Sequence, residues 1–280
     1  MIMTKQKQAL YVSKKRKGII RTGSDFARNC RYGLTLQEQR VIYYAIMKGE
    51  MEKKSFQPVI FTVKEFAALC GLNSDGTYKT LRRTSANLLM KIVEYTFEDE
   101  NGDTVLRQAP WVIGIDYRAK MGTVTVRLNP LVEPLFRKYK QFTETEFIFL
   151  CKFSCQYSER LYELLKSMAF KPAVDFNIED LRERLGLKMQ NGKKAMNKYP
   201  NYNDFEKRVL IPAKDDINIY TDLDIDYRAM RGRYNKVETV VFSIRKKPNY
   251  IPLAERIQSR NFPQLEGQIT LFENDEEENA

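Results

Sequence analysis

Two hydrophobic periods alternate along this chain, and the switches between them outline its elements. Between Leu34 and Met47, Leu36, Arg40, Tyr43 and Met47 recur near the helical period, and Thr35 precedes Glu38 in capping-box relation, so a helix starts here. A shorter helix is expected over residues 63–70, where Phe61, Phe66 and Leu69 are apolar and Gly71 stands at the stop, followed by a turn from Leu72 to Gly76. Tyr78, Leu81, Ser85, Leu88 and Ile92 then mark one face of a long helix whose other side shows Lys79, Arg82 and Arg83. Beyond it the period falls to two. Residues 94–98 and 104–107 flank the hairpin signal Asn101-Gly102, and further strands are expected over 111–117 and 123–128.

The same order of signals then returns. Ile115-Asp116-Tyr117-Arg118-Ala119 recurs letter for letter as Ile225-Asp226-Tyr227-Arg228-Ala229. The stretch from Phe61 to Leu72 is echoed between Phe176 and Leu187, and Gln39-Arg40-Val41 has a counterpart in Glu159-Arg160-Leu161. Three echoes in one order indicate a diverged duplication whose insertions fall in loops. In the second copy, Asn203 and Glu206 read as a capping box. They open a helix with the stripe Phe205, Val209, Ala213 and Ile217, kinked by Pro212. Its outward residues are Asp204, Lys207, Arg208 and Lys214, and strands over 221–227 and 237–244 enclose the basic turn Arg231-Gly232-Arg233. Helices, a turn and a hairpin describe a winged helix, so the expected fold is α+β, with two duplicated winged-helix domains. The expected division is a basic flexible arm over 1–24, a first module over 25–135, a second over 136–250 and a flexible acidic tail over 251–280. The boundary falls in the Pro-containing basic stretch 129–141.

Composition narrows the chemistry. The 280 residues are 43% hydrophobic but include no run of 18 apolar residues, and a polar, basic start replaces any signal-peptide core, so a cytoplasmic protein without a membrane span is expected. With no histidine in the sequence, Ser-His-Asp triads, Cys-His dyads, zinc deaminases and histidine-ligated nickases are excluded. Cys30, Cys70, Cys151 and Cys155 contain no C-x-x-C pair and read as reduced core thiols, with Cys151 and Cys155 on one helix face. The net charge is +11; six acids and no base lie from Leu265 onward, so the remainder carries +17. A polyanionic partner follows, and nucleic acid is favoured over an anionic membrane because no strongly amphipathic basic helix accompanies the charge.

The two outward basic faces are the candidate reading surfaces, since a helix fits the major groove, where Arg and Lys reach guanine and Asn reaches adenine. They comprise Lys79, Arg82 and Arg83 in the first module and Asn203, Lys207 and Arg208 in the second. The preceding loop contributes Lys188, Lys193, Lys194 and Lys198, with Tyr199 and Tyr202, and Arg231 and Arg233 lie at the wing. Arg118-Ala119-Lys120 is the less basic counterpart wing. The stretch from Gly186 to Lys194 is no P-loop: its glycine spacing is wrong and no Ser or Thr follows the lysine. Asp222, Asp224 and Asp226 alternate along a strand; this is the one enzymatic signal, a metal-dependent nickase or primase, against the simpler reading of a solvated strand face. No catalytic residue, metal or cofactor is assigned. In the tail, Gln268, Leu271 and Phe272 look like the Gln-x-x-Leu-Phe peptide by which bacterial replication proteins engage the sliding clamp.

Taken together, the run from Leu34 through Gln39-Arg40-Val41-Ile42-Tyr43, the run Tyr78-Lys79-Thr80-Leu81-Arg82-Arg83, and residues 205–213 with Ile217-Asn218 resemble the plasmid replication initiators that bind iterons, over roughly 25–247. The resemblance implies that the second winged helix makes the main major-groove contacts to double-stranded iteron DNA. It further implies that the first contacts DNA in monomers and mediates dimerisation, that dimers repress their own gene through its operator, and that monomers open the origin with host initiator and helicase factors. A duplicated winged-helix transcriptional repressor is the alternative.

Overall fold

The computed structural model describes residues 18–51, 57–72, 74–137, 142–191 and 194–253. The chain opens with β1 (Ile19–Gly23), α1 (Ser24–Asn29), β2 (Arg31–Tyr32) and α2 (Leu36–Met51). Thr35 and Glu38 form the expected reciprocal cap: the Glu38 N–H donates to Thr35 Oγ1 at 3.3 Å, and the Thr35 N–H to Glu38 Oε2 at 2.7 Å. β3 (Val59–Thr62) leads into α3 (Val63–Cys70), where Thr62 and Glu65 make a second capping box, and Gly71 ends the helix in the left-handed conformation (φ 63). α4 (Ser74–Leu88), β4 (Ile92–Glu98), β5 (Thr104–Pro110), β6 (Val112–Arg118), β7 (Thr123–Leu128) and α5 (Pro134–Arg137) complete the first half.

β8 (Phe142–Glu146) and α6 (Phe147–Lys152) form a junction, followed by α7 (Ser158–Lys166), β9 (Ala173–Asn177) and α8 (Ile178–Arg184). A hairpin of β10 (Lys188–Asn191) and β11 (Lys194–Asn197) precedes α9 (Tyr202–Phe205), which continues through a π-helical turn, Glu206–Leu210, into α10 (Ile211–Tyr220). β12 (Leu223–Arg231) and β13 (Val237–Lys246) close the fold.

The duplication is visible in sheet topology. The first half contains a sheet of order β3-β7-β6 and the second one of order β12-β13-β9, so in each copy the strand before the first helix of the motif pairs with the last strand of the wing. The repeated pentapeptides occupy equivalent strands, with Ile115 opposite Val126 and Ile225 opposite Ile244. Alternation places Val124, Val126 and Leu128 in one core and Leu223, Ile225, Phe242 and Ile244 in the other. The hairpin turning at Asn101-Gly102 is an addition to the first copy, for β4 and β5 join β2 in a separate sheet.

The halves meet over a broad junction. β1 pairs antiparallel with β8, and α6 is shared: Phe147, Leu150 and Cys151 enter the first core, Ile148 and Phe149 the second. Gly186 (φ 71) lies so close to the first half that a Cβ there would sit 2.0 Å from the Tyr32 carbonyl oxygen, which no side chain tolerates.

Several expectations need correction. Residues 19–23, assigned to a flexible arm from their charge, are a strand, because β8 supplies ladder partners 119–127 residues away. The helix carrying Lys79 begins at Ser74, inside the expected turn, and ends at Leu88, so Ile92 belongs to β4 and not to the helix face. Asn203 lies within α9, whose N-cap is Asn201. Glu206 is instead an acceptor for the hydroxyls of Tyr202 and Tyr227, at 3.0 and 3.3 Å. Cys151 and Cys155 share no helix face, since α6 ends at Lys152: the Cys151 thiol sits 3.8 Å from that of Cys70, and Cys155 donates to the Arg208 carbonyl at 3.9 Å. All four cysteines are buried and none is in a disulfide. Among the described residues no helix is long and apolar enough to cross a membrane.

Candidate nucleic-acid interface

The second-half reading helix is positioned from its buried side outward. Phe205, Val209, Ala213 and Ile217, the stripe expected from spacing, are all fully buried. Pro212 lacks an N–H and its ring crowds the carbonyl four residues earlier, that of Arg208; the π-helical turn lies there, and the Cys155 thiol supplies the carbonyl with a donor. Three anchors, two of them long-range, escaped the sequence reading. Arg182, buried in α8, lies 4.7 Å over the Phe205 ring and donates to the carbonyls of Lys198, Tyr199 and Pro200, fixing the segment that enters α9. Asp216 accepts from the Ser154 and Cys155 N–H groups and the Ser154 and Ser158 hydroxyls, at 2.6–3.0 Å. Asn218 pairs with the Ile225 backbone through both amide atoms, at 2.7 and 2.9 Å, binding α10 to β12.

On the opposite side Asn203, Lys207 and Arg208 are exposed, as the sequence periodicity requires, with the Arg208 guanidinium 5.8 Å from the Tyr199 ring. Lys214 is spent in an ion pair with Asp226 (3.1 Å). The wing bases Arg231 and Arg233 are exposed. Burial raises the Tyr202 phenol, helped by the hydrogen bond to Glu206, while the charge of Arg231 opposes the shift, so wing and helix lie within electrostatic reach. Tyr202 and Lys198 are half-buried. The expected lysine loop is the β10–β11 hairpin: Lys194 lies on its return strand, Lys188 is held by Glu179 and Glu183 at 3.2 and 3.6 Å, and Lys193 lies outside the described residues.

The first half repeats the plan. Leu81, Ser85 and Leu88 of α4 are buried, while Lys79, Arg82 and Arg83 are exposed. Tyr117 of the repeated pentapeptide hydrogen-bonds Ser85 of α4; its counterpart Tyr227 bonds Glu206 of the second reading helix. Each repeat thus uses the same tyrosine to tie wing to helix. Burial raises the Tyr117 phenol, against the opposing hydrogen bond from Ser85 and the charge of Arg82.

The aspartates do not assemble a metal site. Asp222 precedes β12 and accepts from Tyr162 and Lys166, Asp224 pairs with Arg245 at 2.6 Å, and Asp226 pairs with Lys214. No group of three metal-ligating side chains occurs among the described residues. Gln268, Leu271 and Phe272 lie outside them.

Two winged-helix modules, each with an exposed basic helix braced against its wing, define a tandem DNA-binding protein of the winged-helix class. The model of the initiator replication protein WH1 domain matches residues 19–166, and that of the initiator Rep protein WH2 domain matches 177–244. The chain belongs to this family and is a replication initiator of the Rep type, as its motifs indicated. The WH1 match runs through α6 and α7, past the sequence-derived boundary at 135/136. Among solved structures, that of the Pi initiator protein in complex with iteron DNA aligns with a TM-score of 0.62 at 18% identity, over 84% of this chain and 99% of that one. The WH1 domain of MSBI1.176, a replication protein isolated from a multiple sclerosis patient, aligns at 24% identity and TM-score 0.34, over 38% of this chain and 82% of that one.

Proposed function

We propose that this initiator binds iteron repeats in double-stranded DNA at a plasmid origin. The carrying observation is the pair of exposed basic helices, Lys79-Arg82-Arg83 and Asn203-Lys207-Arg208, each linked to its own wing by the duplicated tyrosine. The Pi protein, solved on iteron DNA, shares this fold. In this reading Asn203, Lys207 and Arg208 make the main base and phosphate contacts. Lys79, Arg82 and Arg83 contact a second groove, while Lys194, Lys198, Tyr202, Arg231 and Arg233 add phosphate contacts. The protein acts in the cytoplasm without catalysis. It represses its own gene as a dimer held through the first module, which spans 25–135, and opens the origin as a monomer with host initiator and helicase. The second module, 136–250, carries the main DNA contact, and the 251–280 tail offers Gln268, Leu271 and Phe272 to the sliding clamp.

Footprinting on the DNA flanking the encoding gene tests this. Protections repeating in tandem at constant spacing support iteron binding; protection of a single inverted operator alone would favour a dedicated repressor. Because Asp224 is already paired with Arg245, Asp224→Ala should leave origin activity unchanged. Loss of a metal-dependent nicking or primer-forming activity in that variant would restore the enzyme reading.

A further inference from the structure

The tip of the second wing is longer and differently built than the first. β6 ends at Arg118, the fourth residue of the repeated pentapeptide, whereas β12 continues three residues past the equivalent Arg228, to Arg231. At roughly 3.3 Å per residue this extends the hairpin by about 10 Å. At its end stands Tyr234, 100% exposed. Tyr234 and Asn235 both have left-handed backbones, φ 57 and 59, a conformation that asparagine tolerates and a bulky side chain rarely adopts. The turn is nevertheless well held. Arg231 Nη1 donates to the Asn235 carbonyl and the Gly232 N–H to that of Lys236, both at 2.8 Å. Arg231, Arg233 and Lys236 are exposed around the ring. An aromatic side chain held outward on strained backbone buries nothing within the fold, so its placement is explained by what it meets outside. The first wing tip offers a smaller version: Met121, 70% exposed, follows Lys120.

We propose that Tyr234 enters the minor groove of duplex DNA beside the major groove occupied by α9 and α10, and makes binding depend on A·T pairs there. This rests on the function proposed above and adds a specificity-determining residue to it. The minor groove is about 6 Å wide, which admits a ring edge-on. A·T pairs present only acceptors to a phenolic O–H, whereas the guanine amino group projects into the space the ring would take. A·T-rich grooves are also narrower and more negative, which draws Arg231 and Arg233 to their walls. A probe at the end of a long hairpin therefore reads pairs beyond those under the helix.

The test is selection by the full chain from a randomised duplex pool, followed by titration of the selected duplex. Wild-type protein should enrich a core motif with an A·T-rich flank. Tyr234→Gly, which suits the left-handed turn, should keep the core, lose the flank and bind the selected duplex roughly tenfold more weakly. Exchanging the flanking A·T pairs for inosine·C, which lacks the minor-groove amino group, should preserve wild-type affinity, while G·C should reduce it. The same flank selected by Tyr234→Gly, or equal loss with inosine·C and G·C, would overturn the proposal. Failure of the underlying function looks different: no core motif is enriched by either protein, and both readings fall.

Discussion

Arg40 and Arg160 stand at corresponding positions of the duplicated sequence and make the same kind of contact in opposite directions across the junction. Arg40 of α2 donates to the carbonyls of Leu150, Cys151 and Phe153 at 2.9, 3.1 and 3.4 Å. Arg160 of α7 donates back to those of Phe26 and Cys30, and to Arg184 of its own half. Both are buried, at 7% and 2% exposure. The planar guanidinium serves several fixed carbonyls at once, which a lysine ammonium on a flexible stem cannot match. The echo Gln39-Arg40-Val41 and Glu159-Arg160-Leu161 is thus a shared docking device.

Arg160→Met should therefore destabilise the chain by about 3 kcal/mol or more, since it takes a buried donor from three carbonyls and removes the positive charge beside the buried Glu163. Arg160→Lys should recover less than half of that. Urea unfolding of the variants measures both; a loss under about 1 kcal/mol for the methionine variant would contradict the docking role.

The junction also buries two carboxyls on α7. Glu163 accepts the Tyr43 hydroxyl at 2.8 Å, and burial outweighs the nearby Arg160 charge to hold its pKa up at about 7. Glu159 is raised as well, by burial and then by the charge of Glu163. A carboxyl whose folded pKa exceeds its unfolded value keeps its full stabilising contribution below the unfolded pKa of about 4.5, and loses it as pH rises through about 7. Glu163→Gln does not titrate, so its stability relative to wild type should increase between about pH 5 and 8, by up to about 3 kcal/mol. Parallel stability curves over that range would show that Glu163 carries no such burden.

On the DNA side, Arg208→Ala should cost about 1 to 3 kcal/mol on the cognate repeat and relax preference at one base pair, whereas Lys207→Ala should weaken all duplexes alike. If about seven phosphates are neutralised, log K should fall against log salt with a slope near −6, and Lys207→Ala should reduce that slope by about one. A slope near zero in the wild type would remove phosphate neutralisation as the source of affinity.

Asp216 supports the reading helix from beneath. Asp216→Ala leaves two N–H groups and two hydroxyls of the 154–158 turn without their acceptor, so a loss of about 2 to 4 kcal/mol is expected in thermal or urea unfolding. Unchanged stability would mean that water replaces the carboxylate.

Much of the candidate site was legible because its signals are local. The exposed side of α4 and that of α9 with the π-helical turn follow from helical period, the wings from period two, and the pairing of the halves from a repeated pentapeptide. The bend at Pro212 was legible too, but its form was not: a π-helical turn whose freed carbonyl meets Cys155, more than 50 residues away in sequence. Arg182 and Asp216 carry no such signal, since nothing in the periodicity marks a charged residue whose partners lie on another element. Tyr234, between an arginine and an asparagine, belongs to no sequence pattern; only its full exposure and left-handed backbone set it apart.

By itself the sequence determined two winged-helix modules and their basic outward faces, because burying an apolar stripe every 3.6 or 2 residues leaves one face for the partner, while the likeness to replication initiators rested on its motifs. Only the tertiary structure decided how the halves join: the strand pair β1–β8, the helix shared by both cores, and the buried group of Arg40, Tyr43, Arg160 and Glu163. Those bonds connect residues more than 100 positions apart, and chain closure over such distances leaves no periodic trace in either partner.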